Sequence, residues 1–261
     1  MGTLGLSKAD AAGKLREHLA EVRRLREGAR ADPALERDRL ALRAWQTERL
    51  ARTHADLLAN PRYAPAATFF LSDLYGTKDV TARDEGIARI LPTMTRMLPA
   101  AALETIALAL ELDALSESLD QAMARAIRRG QPKGELAVTE ASYADAYRSA
   151  TDRRDRERQI ALVDRIGSAL DRLSRKPLLA GAVAMMEAPA RAAGLAALHD
   201  FLVRGFRAFG HMRGADEFLA TIAARETQIN DRLHAGAPEA FTVAAAVSEG
   251  MSRSNELGQK A

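Results

Sequence analysis

The stretch from Pro99 to Gly130 constrains the fold of this chain more than any other. No proline or glycine interrupts it, and its large apolar residues recur mostly at intervals of three or four, at Leu103, Ile106, Leu110, Leu115, Leu119, Met123 and Ile127. This spacing places the side chains on one face of an α-helix. Because further apolar residues around Ala107–Leu112 widen this face, we expect a long, buried helix at the centre of the protein.

The remainder of the chain also has the composition of a helical protein. Alanine, leucine, arginine and glutamate dominate, and β-branched residues are scarce. No segment shows the alternation typical of strands, and capping residues, prolines and glycines separate the apolar stripes. The predicted N-caps are Ser7, Asp32, Thr81 or Asp79, Thr139 and Asp152. The sequence therefore predicts an all-α fold: a single bundle-like domain of about ten helices around the long central helix.

We expect three parts along the chain. Residues 1–60 form an N-terminal helical hairpin, whose first helix ends at Gly28 and whose second helix begins at Asp32 and ends near Asn60. Residues 61–236 form the main helical domain, and residues 237–261 form a flexible tail of small and polar residues. The apolar stripes of the first two helices suit pairing with each other or with a second copy of the chain.

The composition excludes several kinds of site. The chain has no cysteine, which rules out disulfides, zinc–thiolate sites, cysteine-ligated iron–sulfur clusters and cysteine nucleophiles. The absence of cysteine, and of an apolar signal-peptide core in the first residues, favours a cytoplasmic location. The most apolar window, residues 177–198, is interrupted by Glu187, Pro189 and Arg191. We therefore expect no transmembrane segment.

The charges are nearly balanced, since 38 lysines and arginines face 35 acidic residues, for a net charge of +3. Arginines concentrate in two runs, Arg23–Arg26 and Arg153–Arg158, but acidic residues interleave with these runs or flank them. A nucleic-acid surface usually shows less compensation and some aromatic stacking partners. We interpret both runs as solvated helix faces, and no nucleic-acid partner is predicted.

The common catalytic and metal-binding signatures are absent. The sequence contains no P-loop, no nucleophile elbow, no Rossmann-type glycine pattern and no H-E-x-x-H motif. A di-iron bundle needs Glu-x-x-His on two helices, and none of the five histidines follows a glutamate by three residues. No metal site and no cofactor are predicted, and the sequence leaves open whether the chain is an enzyme.

The segment Phe69–Gly76, with the sequence FFLSDLYG, concentrates aromatic residues in a chain that has few. On a helix, Asp73 shares a face with apolar neighbours, where a carboxylate needs a cation or several hydrogen-bond donors. Two interpretations follow. Either Asp73 and Tyr75 line a ligand pocket, or Asp73 caps or pairs locally, for instance with Arg83 or Arg89, while Phe69, Phe70 and Leu74 are part of the core.

Two further groups are candidates for a binding site. Glu111 lies in the most apolar part of the long helix, where a buried acid serves either a structural salt bridge or a functional role. His199, Arg204 and His211 flank a helix that carries Phe201, Phe206 and Phe209. Histidines beside aromatic rings suit a planar ligand, with haem as the alternative cofactor, although aromatic residues at helical spacing more often form core.

Two segments resemble known sequences. FFLSDLYGTKDVTARD, at Phe69–Asp84, is similar to a segment of uncharacterised helical proteins of proteobacteria, and GFRAFGHMRGADEFLATIAARE, at Gly205–Glu226, is similar to the C-terminal part of the same group. The resemblance implies a bacterial origin and an all-helical fold. It carries over no catalytic residue, since no activity is established for that group.

Two hypotheses on function follow. The preferred one is a binding or protein-interaction protein that self-associates through its N-terminal helical pair. The alternative is an enzyme or small-ligand-binding protein with a pocket inside the bundle near Asp73, Tyr75, Glu111 and His199. A cavity of roughly 300 Å³ or more would favour the alternative.

Overall fold

A computed structural model gives the fold. It describes residues 7–74, 81–176, 181 and 185–242, without the side chains of residues 73, 74, 81–84, 94, 97 and 198. Within these ranges the chain forms eleven α-helices and one π-helical turn, and no strand. The fold class is therefore all-α, as the sequence predicts. No helix in these ranges is both long enough and apolar enough to cross a membrane.

The first six helices include the central one. They are α1 (Lys8–Arg30), α2 (Pro33–Thr53), α3 (Ala55–Ala59), α4 (Ala64–Phe69), which continues into the π-helical turn Phe70–Leu74, α5 (Thr81–Met97) and α6 (Ala100–Gly130). The next five complete the bundle: α7 (Glu140–Ala150), α8 (Arg153–Ser174), α9 (Glu187–Ala192), α10 (Ala196–Met212) and α11 (Asp216–Ala235).

Four of the predicted N-caps are confirmed; Asp79 and the side chain of Thr81, the alternatives for α5, lie outside the described part of the chain. Ser7, Asp32, Thr139 and Asp152 each accept a hydrogen bond from a backbone amide in the first turn of α1, α2, α7 and α8, respectively. These bonds satisfy amides that a helix start leaves without a partner. The caps therefore fix where these four helices begin.

Two of the predicted helix ends are wrong. α1 continues through Gly28 to Arg30, because one helical glycine costs only about 1 kcal/mol and the next residue, Ala29, is buried in the core. α2 ends at Thr53 rather than near Asn60, and α3 follows as a separate short helix.

Helix α6 occupies the central position that the sequence predicts. α1, α2, α7 and α8 all pack against it, and α10 and α11 pack against α8. Most of the apolar stripe of α6 is buried, at Leu103, Leu110, Leu119, Met123 and Ile127. The burial of this stripe explains why the other helices collect around α6.

The two N-terminal helices cover part of α6. The stripe of α1, formed by Leu15, Leu19 and Val22, is buried, and α1 packs more extensively on α6 than on α2. α2 contacts both helices. The apolar stripe of α1 that suggested pairing with a second copy of the chain is therefore covered within one chain.

Phe69 and Phe70 of the FFLSDLYG segment lie in the core. Phe69 and Phe70 are buried, at the junction of α4 and the π-helical turn. The Phe69 ring centroid lies 5.3 Å from that of Phe201 on α10, and the Phe70 ring centroid lies 5.9 Å from that of Phe218 on α11. These contacts anchor the junction to the last two long helices.

The residues that follow α11 also contact the core. Ala240 is buried, and the Phe241 ring packs edge-on against Trp45 and Tyr143 at centroid distances of 5.5 and 5.7 Å. The predicted tail thus begins with residues that hold this end of the bundle together. Residues 243–261 lie outside the described residues.

Candidate functional site

A large cavity lies inside the bundle. Its volume is about 870 Å³, which is within the range of ligand pockets in proteins. Helices α2, α6, α8, α10 and α11 supply most of its wall, and α5, α7 and α9 contribute smaller parts. Apolar side chains predominate in the lining, among them Ile106, Ala109, Ile160, Phe206 and Ile222.

The lining changes from apolar to polar along α6. Ile106 and Ala109 line one part, and Glu117 and Asp120 line the other. From Ile106 to Asp120 the helix rises about 21 Å. α8 runs antiparallel to α6, so the start of α8 contributes Arg156 to the polar part. We call this part the polar end; its lining includes Arg49, Glu117, Tyr143, Tyr147, Arg156 and Glu226.

The opposite part, which we call the apolar end, lies where α5, α9 and α10 meet. Ile87, Ile90, Leu202 and Phe206 are among its lining residues. The cavity reaches the surface on this side, since Met186 lines it and is 53% exposed.

A buried ion pair closes the polar end between α2 and α11. Arg49 donates to both carboxylate oxygens of Glu226 at 2.7 Å, and His54 Nε2 lies 3.0 Å from Glu226 Oε1. Burial opposes the ionisation of Glu226, but the charge of Arg49 and the hydrogen bond to His54 outweigh it, so the pKa of Glu226 falls to about 2. This carboxylate is therefore already compensated within the protein.

A second buried cluster joins α1, α2 and α6. Glu117 is 2% exposed and accepts a hydrogen bond from Arg39 at 2.6 Å. Arg26 and Arg43 lie 3.6 and 3.7 Å from the same carboxylate. Three helices thus converge on one acidic side chain, but burial outweighs the charges of these arginines and raises the pKa of Glu117.

Aromatic rings stack beside the polar end. Trp45 stacks on Tyr143 at a centroid distance of 4.4 Å, and Tyr143 lies 5.9 Å from Tyr147. The Tyr147 hydroxyl donates to Asn230 Oδ1 at 2.8 Å, and burial raises the pKa of Tyr147 well above its ordinary value. Tyr147 is thus a neutral hydrogen-bond donor to Asn230.

The sequence-predicted candidates are only partly brought together. Tyr75 lies outside the described residues, and of Asp73 only the backbone is described, in the π-helical turn. His199 is buried and lines the cavity near α9. Its Nδ1 atom lies 3.7 Å from the carboxylate of Asp200.

The other candidates lie away from the cavity lining. Glu111 accepts hydrogen bonds from Arg158 at 2.6 and 2.9 Å and lies 3.7 Å from His18 Nε2. Arg204 is exposed, and His211 is exposed with its Nε2 atom 3.1 Å from the Pro61 carbonyl oxygen. Across the described residues, no group of three or more histidines and acids has the arrangement of a metal site.

Several polar residues of the site were missed by the sequence reasoning. Arg156 and Arg26 belong to the arginine runs interpreted as solvated faces, and for these two residues that interpretation is wrong, since both are buried. The signal was their position: Arg156 precedes the stripe residues Ile160 and Val163 by four and seven, which puts it on the buried face. Glu226 also lies on an apolar stripe, four residues after Ile222 and three before Ile229.

Comparisons with known proteins give a family. Neither the curated proteins nor the solved structures contain a match to this chain. A family profile described as Domain of unknown function (DUF8198) matches residues 25–240, a range that extends from α1 to the residues just after α11 and includes the whole cavity lining described above. The chain therefore belongs to the family of domains of unknown function DUF8198.

Proposed function

We propose that this protein binds a small, largely apolar molecule in the cavity inside its helical bundle. The observation that carries the proposal is the cavity itself, with its volume of about 870 Å³ and its mainly apolar lining. Protein interiors normally pack with few voids larger than a water molecule, and a cavity in a core costs stability in proportion to its volume. An apolar molecule in the cavity would restore the lost contacts.

This proposal develops the alternative hypothesis drawn from the sequence. The cavity has His199 in its lining, while Arg49, Arg156 and Glu226 supply polar groups that the sequence did not point to. Self-association through the N-terminal helices has less support, because the stripe of α1 is buried on α6. A bacterial, cytoplasmic setting is part of the proposal. It is supported by the resemblance to proteobacterial proteins and by the absence of cysteine.

A neutral fluorescent hydrophobe, N-phenylnaphthylamine, tests the proposal without involving ligand charge. Binding to the purified full chain is titrated by fluorescence, and organic extracts of the same preparation are examined by mass spectrometry. The blocking variant is Ala109→Phe, which adds a ring to the cavity wall on α6. The matched control is Ala101→Phe on the exposed face of the same helix.

The expected result is saturable binding of one probe per chain, weakened about tenfold or more by Ala109→Phe and unchanged by Ala101→Phe. Circular dichroism and thermal unfolding establish that both variants fold. No saturable binding by the wild type, or equal binding by the two folded variants, would contradict the proposal.

A further inference from the structure

Arg156 has an unusual environment for a buried arginine. It is 4% exposed and lines the polar end of the cavity. Its hydrogen bonds go to uncharged acceptors: Nη1 to Gln159 Oε1 at 3.0 Å, Nε to Thr151 Oγ1 at 3.4 Å and Nη2 to Met123 Sδ at 2.7 Å. Among the described residues, no carboxylate oxygen lies within 4.0 Å of its guanidinium nitrogens.

The other buried arginines of the described ranges differ in this respect. Each has a carboxylate partner at 2.6 or 2.7 Å: Asp113 for Arg26, Glu117 for Arg39, Glu226 for Arg49 and Asp56 for Arg225. A carboxylate partner is therefore the rule for arginines buried in this fold, and Arg156 is the exception.

The exception has an energetic cost. A guanidinium stays protonated in proteins, and a buried charge without a counter-charge is strongly unfavourable. The group carries five N–H donors, and a thioether sulfur is a weak acceptor. The Tyr147 ring, 4.4 Å from the Arg156 Cζ atom, offsets part of this cost through a cation–π contact. An anion beside Arg156 would offset much more.

A second donor lies in the same region. Tyr143 lines the cavity, and its ring is 5.9 Å from that of Tyr147, on which Arg156 stacks. The Tyr143 hydroxyl makes no hydrogen bond to a residue in the described part of the chain. The polar end thus offers one charged and one neutral donor to an acceptor group in the cavity.

The nearby acids do not cancel this preference for an anion. Glu226 is bound by Arg49 and His54, and Glu117 is surrounded by three arginines. Asp120 accepts a hydrogen bond from Gln46 Nε2 at 3.0 Å. Glu226 and Glu117 are therefore paired with cations, and Asp120 has a neutral donor. In the described ranges no carboxylate oxygen lies within 4.0 Å of the Arg156 guanidinium nitrogens.

We propose that the molecule bound in the cavity is an amphipathic anion, of the class of medium-chain carboxylates, whose carboxylate pairs with Arg156. Its apolar chain lies along α6 toward Ile106 and the apolar end. The two parts of the ligand then match the two parts of the lining. This inference rests on the proposed function, since it names the chemical class of the molecule that the cavity holds.

The experiment compares two ligands of equal chain length, decanoate and decanol, as competitors of N-phenylnaphthylamine at pH 7. Each is measured with the wild type, with Arg156→Met and with Arg156→Lys. Methionine keeps a long side chain without charge, and lysine keeps the charge without the planar fork. The affinity for decanol shows whether a variant retains a folded cavity.

For the wild type, we expect decanoate to bind about tenfold or more tightly than decanol, because only the carboxylate brings a counter-charge to Arg156 and can accept two of its N–H groups at once. Arg156→Met should abolish this preference by weakening decanoate about tenfold or more and decanol much less, and Arg156→Lys should retain part of it. Equal affinities of the wild type for the two ligands would overturn the inference, as would an unchanged preference in Arg156→Met. In both cases the proposed function stands if decanol displaces the probe, and it fails if neither ligand nor probe binds.

Discussion

Nη1 of Arg49 lies 2.7 Å from both carboxylate oxygens of Glu226, and this contact joins α2 to α11 although the two residues are 177 positions apart in the chain. The Glu226 side chain is 16% exposed, so solvent screens the pair only weakly. The pair forms one wall of the polar end and also stabilises the fold. Its removal should therefore affect both stability and its dependence on pH.

We expect Glu226→Gln to destabilise the protein by about 3 kcal/mol at pH 7, since the pKa of Glu226 lies at about 2 instead of its ordinary 4.5. Because this pKa is lowered by folding, the ion pair contributes fully above pH 4.5 and loses its contribution as the pH falls through 2. The difference between wild type and variant should shrink to about 1 kcal/mol at pH 3. Urea unfolding at both pH values measures it.

Glu157→Gln serves as the control for this prediction. Glu157 accepts a hydrogen bond from Arg153 at 3.0 Å on the surface, where both side chains are about half exposed. Exposed pairs of this kind contribute about 0.2–1 kcal/mol. A loss in Glu226→Gln no larger than the loss in Glu157→Gln would show that the buried pair does not stabilise the fold.

The cluster around Glu117 predicts an asymmetry between partners. Glu117→Gln should cost about 1–3 kcal/mol, because it removes the carboxylate that Arg26, Arg39 and Arg43 share, although Arg26 keeps Asp113 and Arg39 keeps Glu36. Arg39→Met should cost less, because Glu117 keeps the other two arginines. Chemical denaturation of the two variants tests the order, and the reverse order would contradict the assignment of Glu117 as the centre of the cluster.

Two tyrosines on α7 provide a matched pair. Tyr147→Phe should destabilise the protein by about 1–3 kcal/mol, because it leaves Asn230 Oδ1 buried without its donor. Tyr143→Phe should change stability by less than about 0.5 kcal/mol, because no described residue accepts a hydrogen bond from its hydroxyl. Thermal unfolding monitored by circular dichroism compares them, and equal effects would contradict the assigned hydrogen bonding.

A close helix contact predicts opposite effects for two glycines. A Cβ atom on Gly167 of α8 would lie 2.4 Å from Leu219 Cδ2 on α11, and Leu219 is buried. Gly167→Ala should therefore cost about 1–3 kcal/mol by overpacking. Gly210→Ala, on α10 with open space around it, should stabilise by about 0.5–1 kcal/mol. If Gly167→Ala unfolds like the wild type, α8 and α11 do not approach as closely as described.

The sequence predicted those features that depend on local patterns. The stripe of α6 and the caps at Ser7, Asp32, Thr139 and Asp152 follow from periodicity and capping chemistry, and all are confirmed. Helix ends within continuous apolar patterns do not follow from local patterns alone, because tertiary packing also decides where the helix stops. At Gly28 the burial of the next residue, Ala29, decides that α1 continues.

The polar end could not be predicted from the sequence, because it depends on which helices pack against each other. Arg156 and Glu226 each stand on an apolar stripe, but one chain gives no indication of which helix will face them. A charge count treats Arg156 like Arg154, although only Arg156 is buried. The volume and lining of the cavity also could not be predicted, since they depend on how completely the side chains of several helices fill the space between them.

The cluster at Glu117 has a consequence for the alignment of the N-terminal helices. The stripe of α1 repeats at nearly every turn, so apolar packing alone would tolerate a slip of one turn along α6. Such a slip moves a helix by about 5.4 Å and would separate Arg26 from Asp113 and Glu117, which it contacts at 2.7 and 3.6 Å. Arg26, together with the hydrogen bond from Gln121 Nε2 to the Leu25 carbonyl oxygen at 2.9 Å, therefore favours one axial register of α1 over its neighbours.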